Sequence, residues 1–392
     1  NGRLFAMVMT NGQPGAVGYA DNNGLTWGAM DLPRTQESDG DIEGLSPREK
    51  PGGQGAIHSS IAADPTDSNI VYIGGDRQDT PFPNFIGARN FSGRIFRGNA
   101  STGATGAVPS PQWAHMTHSN NIVAIPNGGT ASASSPHADS REMAFDAQGH
   151  LIETDDGGIY RRTLPRSNLG DWFSINGNLQ VAEYHDIAYD PISGVVNGGA
   201  QDAGTQRQIN PGQPTFDSVS TGDGADVEID YVSVPGRSIL YSSAQNLGGF
   251  ARRTYDSANS LTDVAFLAQN GSSVSAQFNT PVKLNRIDPT RLVIGGALHL
   301  LESFDQGDNL VQVTLGTGVP YFSGKPLVYG GYLSGAPNTN VLWVGSGASV
   351  FVRTNAGNTL TATPTTFPGG SVRSIDIAPD DWRVAYVCDS DQ

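Results

Sequence analysis

One phrase recurs along this chain: a short apolar run, an acidic or proline turn, and a second short run that closes on glycine or a polar residue. It reads IHSSIAADPTDSNIVYIGGD at 57–76, MAFDAQGHLIETDD at 143–156, DIAYDPISGVVNGGAQD at 186–202 and VEIDYVSVPGRSILYSSAQN at 227–246. It returns as LNRIDPTRLVIGGA at 284–297, LVYGGYLSGAPNTNVLWVGSG at 327–347 and SIDIAPDDWRVAYVCDSD at 374–391. Runs this short, separated by such turns, are antiparallel hairpins with no room for a helix. In the second copy a third run follows at once, so HADSREMAFDAQGHLIETDDGGIYRR (137–162) reads as three strands and two tight turns.

Copies spaced by about 40–60 residues, with one gap of about 80 after the first, match a β-propeller with four strands per blade. The expected fold is therefore all-β: a seven-bladed β-propeller of four-stranded antiparallel blades, one domain over 1–392. Residues 77–136, rich in Gly, Ser, Asn and Pro, are expected to be a long insertion loop rather than a missing blade. Further strands are expected at 4–9 and 16–19. The chain ends inside the seventh copy, so the N- and C-terminal strands are expected to close one blade and leave no open edge.

Composition agrees and excludes several functions. Glycine is 50 of 392 residues, and the formal net charge is −15. Lys50, Lys283 and Lys325 are the only lysines; the other cations are arginines. An acidic surface disfavours nucleic acid and anionic membranes. Cys388, the single cysteine, excludes an internal disulfide framework. No apolar run reaches the length of roughly 18 residues that a membrane span needs. The chain begins Asn1-Gly2 and is expected to be a processed or excised piece of a longer, secreted product.

Asp21-Asn22-Asn23-Gly24-Leu25-Thr26-Trp27 has D-x-x-G-x-T-W spacing, a tight turn between strands with the indole beneath it. It resembles the Asp-box of bacterial-neuraminidase-type repeats, without the usual Ser or Thr ahead of the Asp. PTDSNIVYIGGD, TDDGGIYR and GGAQDAGT are similar to phrases of the Asp-box propellers of xyloglucanase-like glycoside hydrolases and sortilin-type domains. Asp155 matches the acidic position of the TDxGGxYR phrase, where the resemblance implies a catalytic Asp. Asp76 and Asp202 occupy equivalent turns of neighbouring copies. The superfamily holds hydrolases, lyases, lectins, receptors and assembly factors, so the resemblance implies a fold more sharply than an activity.

A meandering blade sends alternate turns to opposite faces. The Asp-Pro turns and the Asp-box share one face. The other collects the links into first strands: His137, Asp139 and Arg141; Glu183, Tyr184 and His185; Asp223 and Asp226. It also collects the turns after second strands: Asp76, Arg77 and Asp79; Asp155 and Asp156; Gln201 and Asp202; Gln245 and Asn246. Asp and Gly make turns for purely structural reasons, yet this concentration of carboxylates with histidine and arginine exceeds turn chemistry. It is the expected ligand site, with Asp76, Asp155 and Asp202 as candidate catalytic carboxylates. His137, Asp139, Arg141, His185, Asp223, Asp226, Gln245 and Asn246 are the candidate binding groups.

The expected function is a secreted propeller that engages a polysaccharide or glycan, with glycoside hydrolysis by two carboxylates as its chemistry. The alternative is a non-catalytic module that contacts other protein subunits of a large extracellular or surface assembly. A sialidase would need an arginine cluster and the Arg-Ile-Pro phrase; only Arg94-Ile95-Phe96 comes near it. A polysaccharide lyase would draw on His137, Tyr184, His185 and Arg141, against the acidic charge of the rim. Glu37, Asp39 and Asp41 alternate oxygen ligands as a Ca²⁺ site would, without the full twelve-residue pattern. His115 and His118 are expected in a solvated loop. Phe82, Phe85, Phe91 and Trp113 either stack on sugars or pin the insertion to its scaffold.

Overall fold

The computed structural model describes residues 2–45, 53–119, 128–180, 182–267, 274–313, 326–357, 359–365 and 367–390. All seven copies of the repeated phrase are antiparallel hairpins. Among the described residues, helix is confined to two 3-10 turns, Gln54–Ala56 and Gln245–Leu247.

The chain divides into two compact units, 1–182 and 183–392. In the first unit, sheet A consists of Leu4–Thr10, Gln13–Ala20 and Gly28–Met30. Sheet B follows with Ser60–Ala63, Ile70–Gly74, Ile95–Asn99 and Trp113–His115. Sheet C is Glu142–Phe145, Leu151–Asp155, Gly158–Arg162 and Trp172–Ser174. A small pair, Thr35–Gln36 with Ile42–Glu43, lies between A and B in sequence.

The second unit opens with sheet D, Tyr184–Asp190, Val195–Ala200, Gly204–Gln208 and Phe216–Ser218. Sheet E is Gly224–Asp230, Arg237–Ala244, Gly248–Asp256 and Leu261–Phe266. Sheet F is Val282–Leu284, Leu292–Gly295, Leu300–Ser303 and Val311–Gln312. Sheet G carries Leu327–Leu333, Ala336–Ser346, Ser349–Arg353 and Thr361–Ala362, joined by Val372–Ala378 and Asp381–Asp389. Strands follow sequence order within sheets A to F. Within each unit, the first strand of one sheet packs against the first strand of the next.

Two sequence expectations are corrected. The C-terminal strands hydrogen-bond to Leu327–Leu333, through Leu333 opposite Asp381, and Leu4–Met30 forms a sheet of its own. A long hairpin offers two pairing edges, and the sequence does not say which is taken. Residues 77–136 are also more than a loop: Ile95–Asn99 and Trp113–His115 within them complete sheet B. Trp113 is the pin here, since its indole Nε1 donates to Asp31 O at 2.7 Å.

Second strands read as unbroken apolar runs because neighbouring sheets cover both of their faces. All of Ile70–Gly74 is buried. Tyr72 and Ile95 of sheet B pack with Met143, Leu151 and Trp172 of sheet C. Ile239 and Tyr241 of sheet E pack likewise with Leu292 and Ile294 of sheet F. The Gly-Gly that ends these strands permits close approach: a Cβ on Gly74 would sit 2.3 Å from Ser140 Oγ, and one on Gly199 would sit 1.7 Å from Ala225 O. Side chains there would wedge adjacent sheets apart.

The Asp-Pro turns work through the carboxylate. Asp64 Oδ1 accepts from the Thr66 and Asp67 amides, and its Oδ2 accepts from the Tyr72 hydroxyl. Asp190 repeats this with the Ile192 amide and Asp288 with the Thr290 amide, and just ahead of that turn the amide oxygen of Asn285 accepts from the Ile287 and Asp288 amides. Burial pushes Asp64 and Asp190 up, but donors outweigh it and hold both below the usual carboxylate range: at Asp190 these are Ser193, Ser238 and Arg207 ahead of the Ile192 amide.

A second turn type, at Ser303-Phe304-Asp305-Gln306-Gly307, has Gly307 N donating to Ser303 Oγ and Asn309 N to Asp305 Oδ1, each at 2.9 Å. Replacing Asp305 by Ala loses the bonds its carboxylate accepts from Asn309 N, Asn309 Nδ2 and Ser303 Oγ at an exposed turn. The expected cost is about 1–2 kcal/mol, read as a lower urea midpoint with unchanged slope; an unchanged midpoint would contradict this account of the turn.

Candidate functional site

Residues at the start of sheet C and the ends of two second strands converge in the first unit. Past Gly74 the chain turns so that Asp139 N donates to Asp76 O at 2.8 Å and Ser140 N to Gly75 O at 3.0 Å. These two bonds tie the link before Glu142–Phe145 to the end of Ile70–Gly74. They draw Asp76 and Asp139 together, as the meander argument predicts. Asp155 ends the strand Leu151–Asp155, and the turn after it brings Asp156 against Arg141, with Nε–Oδ1 at 2.9 Å and Nη2–Oδ2 at 3.2 Å. His137 lies beside Gly157, where a Cβ would meet the imidazole. Of the candidates, Asp76, His137, Asp139, Arg141 and Asp155 thus share one place, opened to solvent by the half-exposed Arg141 and Asp156.

His58, which the sequence argument misses, completes the cluster from the link before Ser60–Ala63. Its Nδ1 stands 3.3 Å from Oδ1 of Asp139, and both side chains are buried. The signal available was position: His58 precedes the strand Ser60–Ala63 as His137 precedes Glu142–Phe145. Glu153, two residues before Asp155 and on the same side of its strand, is fully buried, with its carboxyl against Ser140 and the Asp155 carboxyl.

Electrostatics here are unusual. Burial pushes the Glu153 carboxyl well above its ordinary range, and the neighbouring charge of Asp155 adds to this. Burial also raises Asp155 to about 6, against the pull of His137 and the Gly157 amide. Gly157 N donates to Asp155 Oδ1 at 2.8 Å, and apart from the Glu153 carboxyl beside it Oδ2 meets no donor. His58 is lowered by burial and by Arg141, with Asp156, Asp76 and the Asp139 backbone opposing.

In the second unit the candidates are knit into the scaffold. Asp223 Oδ1 accepts from Gln201 Nε2 and from Asp202 N, each at 3.0 Å. Asp223 N donates to Gln245 Oε1 at 2.9 Å, and Asn246 N to Phe278 O at 2.9 Å. His185 Nδ1 lies 2.7 Å from Gly224 O. Asp226 belongs to a different group, in which Lys283 Nζ meets Glu228 at 2.6 Å, Asp186 at 3.3 Å and Asp226 at 3.8 Å. Burial alone would lower the Lys283 pKa; the three carboxylates raise it above its ordinary value. Lys283, Glu228 and Asp186 escape a reading confined to turns, because strands carry them.

Glu37, Asp39 and Asp41 do not converge on one point. Glu37 is buried, with Oε1 accepting from Thr35 and Oε2 from the Phe85 amide, so it anchors a loop. Asp39 Oδ1 accepts from Asp41 N. His115 and His118 correct the expectation of a solvated loop, since both are buried. His115 Nδ1 meets Thr117 O and His118 Nε2 meets Ser92 Oγ, each at 2.7 Å. Phe91 is half exposed, with Phe82 at its edge and Arg77 over its ring. A groove of about 410 Å³, lined by Asp67, Arg97, Gln112, Trp113 and Arg166, includes none of the cluster residues.

No family model matches the chain, and no curated protein matches it. Solved structures similar to it include the GH74 xyloglucanase from Xanthomonas campestris, at 13% identity and a TM-score of 0.47 over 98% of this chain. The chain spans 57% of that enzyme's length. U3-55K is similar at 11% identity and a TM-score of 0.33, over 82% of this chain and 84% of that one. YCF48 from Cyanidioschyzon merolae is similar at 11% and 0.34, over 84% and 92%. No helix among the described residues is long and apolar enough to cross a membrane.

Proposed function

We propose that this chain is a single seven-bladed β-propeller, acting outside the cell, that engages a glycan at the cluster around Asp155. Supporting the fold are hairpin copies at blade spacing and, within each unit, sheets that adjoin through their first strands. The observation that carries the site is the gathering of buried carboxyl oxygens short of donors, Asp76 Oδ1 and Asp155 Oδ2, beside His137 and the solvent-facing Arg141. Buried polar atoms are ordinarily paired; acceptor capacity left over behind the part-exposed Arg141 and Asp156 suits the hydroxyls of a sugar. Glycoside hydrolysis uses one carboxyl to protonate the leaving oxygen and a second as nucleophile or base. Asp155, which burial raises to about 6, is the acid in this reading, and Asp76 the second carboxylate.

The test is release of reducing ends from a polysaccharide panel. The native chain should cleave at least one member, and Asp155→Asn should lose about 100-fold or more of that rate, the low end for a general acid. An Asp155→Asn protein as active as the native chain would end the catalytic proposal. A non-catalytic module is the second reading. It is favoured by the second unit, where Gln201, Asp202, Asp223 and Gln245 spend their polar atoms on one another. Glycan binding without cleavage, unaffected by Asp155→Asn, would select it.

A further inference from the structure

The cluster contains an arrangement that hydrogen bonding within the chain does not explain. His58, Asp139 and Asp156 each offer a ligand atom, and the three lie within 4.8 Å of one another. His58 is 5% exposed, and its Nδ1, aimed at Asp139 Oδ1 from 3.3 Å, makes no hydrogen bond. Asp76 is 1% exposed; its Oδ1 has no hydrogen-bond partner, and its charge acts on the His58 ring. The Asp139 backbone acts on the same ring, but an Nδ1 without a proton would set lone pair against lone pair at Asp139 Oδ1, which a cation between them relieves. Two ligands of one ion, each about 2.0–2.2 Å from it, stand about 3–3.5 Å apart. That separation accounts for the contact.

We propose that His58, Asp139 and Asp156, with Asp76 beside them, bind one divalent transition-metal ion of the Zn²⁺ or Mn²⁺ kind. Charge agrees: three carboxylates and the Arg141 guanidinium leave a net −2 around a neutral imidazole, which one dication cancels. The donor set selects the class. Ca²⁺ and Mg²⁺ take oxygen ligands, whereas imidazole beside carboxylates is a donor set of Zn²⁺; Mn²⁺ shares the preference for the carboxylates alone. The Lys283 group in the second unit makes the contrast, since there an ammonium already lies among three carboxylates. Arg141 holds both oxygens of Asp156 and fixes its orientation from outside. The part-exposed Asp156 leaves one side of the ion open to water or to a sugar hydroxyl; only this last role rests on the glycan reading.

The test uses the full chain, stripped with chelator and titrated calorimetrically with ZnCl2, MnCl2 and CaCl2 in separate runs. One equivalent of Zn²⁺ or Mn²⁺ should bind, more tightly than Ca²⁺. His58→Ala and Asp156→Asn should each weaken binding by about 100-fold or more, at or beyond the upper range seen even for groups behind the ligands. His150→Gln, a histidine paired with Asp146 elsewhere in sheet C, should bind as the native chain does. Asp156 is part exposed, so its variant keeps the test open if His58→Ala misfolds. No stoichiometric binding, preference for Ca²⁺, or binding unchanged in Asp156→Asn would overturn the proposal. Glycan binding by the stripped protein is measured separately, so metal without glycan removes only the earlier reading, and glycan without metal removes only this one.

Discussion

Lowering the pH from 6.5 toward 4 is expected to destabilise the first unit through His115 and His118. Burial lowers both imidazoles to about 4, and the Arg94 guanidinium pushes the same way on each. Their folded pKa values lie below the unfolded value of about 6.5, so the unfolded chain takes up protons first as pH falls. The stability they contribute is complete above about 6.5 and is lost progressively down to about 4. A shift of this size is worth on the order of 3 kcal/mol per imidazole. Glu153 and Asp155 act in the opposite sense, since burial raises them and their contribution fades as pH rises through the Asp155 value of about 6. The difference between variant and native chain therefore carries the test, not the total slope. His118→Asn suits it, because asparagine tolerates the positive φ of 59° at this position. Unfolding free energies measured by urea at pH 7 and 4.5 should show a shallower loss in the variant, by about 2–3 kcal/mol. Parallel losses in the two proteins would sink the assignment.

Replacing Glu302 by Ala is expected to cost about 3–5 kcal/mol, the usual result of leaving a buried charge without its partner. Arg353 grips the Glu302 carboxylate with both Nη atoms, each at 2.8 Å, and Arg291 Nη2 adds a contact at 3.1 Å. The Tyr329 hydroxyl also donates to it. Burial pushes Glu302 up, but these donors outweigh it and hold the carboxyl below its usual range. Without the carboxylate, two guanidinium groups would remain buried between sheets F and G. Glu302→Gln keeps the shape and loses the charge, so it should fall between native and Ala. A loss below about 1 kcal/mol for Glu302→Ala, by urea unfolding, would mean that the arginines find other partners.

The hairpins were legible because their chemistry is local. Asp64, Asp190 and Asn285 each fold back on the amides just after them, and such turns can be read from a few letters. Part of the site was legible for a related reason: in a meander, the link before one sheet meets the end of the previous second strand, which joins Asp139 to Asp76. What was not legible depends on distant chain. His58, between Ile57 and Ser59, is marked only by its place ahead of Ser60–Ala63, and its significance arises when Asp139 and Asp156 arrive. Lys283 looks like an ordinary strand residue until Glu228 and Asp186 face it. His115 and His118 read as solvated because their surroundings are polar in sequence, whereas the fold buries both. The C-terminal hairpin pairs through Leu333 with Asp381 and packs Val372, Ile375 and Ile377 against Val328 and Trp343, and no local signal specifies that partner.

The claim on which the functional account depends is that ligands are met at the Asp155 cluster. Backbone amide shifts of the ¹⁵N-labelled chain, followed while soluble oligosaccharides from the hydrolysis panel are added, test it most directly. At least one oligosaccharide should move the amides of 137–141 and 155–158 in a saturable way, and Asp155→Asn should weaken that response. Shifts confined to other sheets, or no response to any member of the panel, would contradict the account.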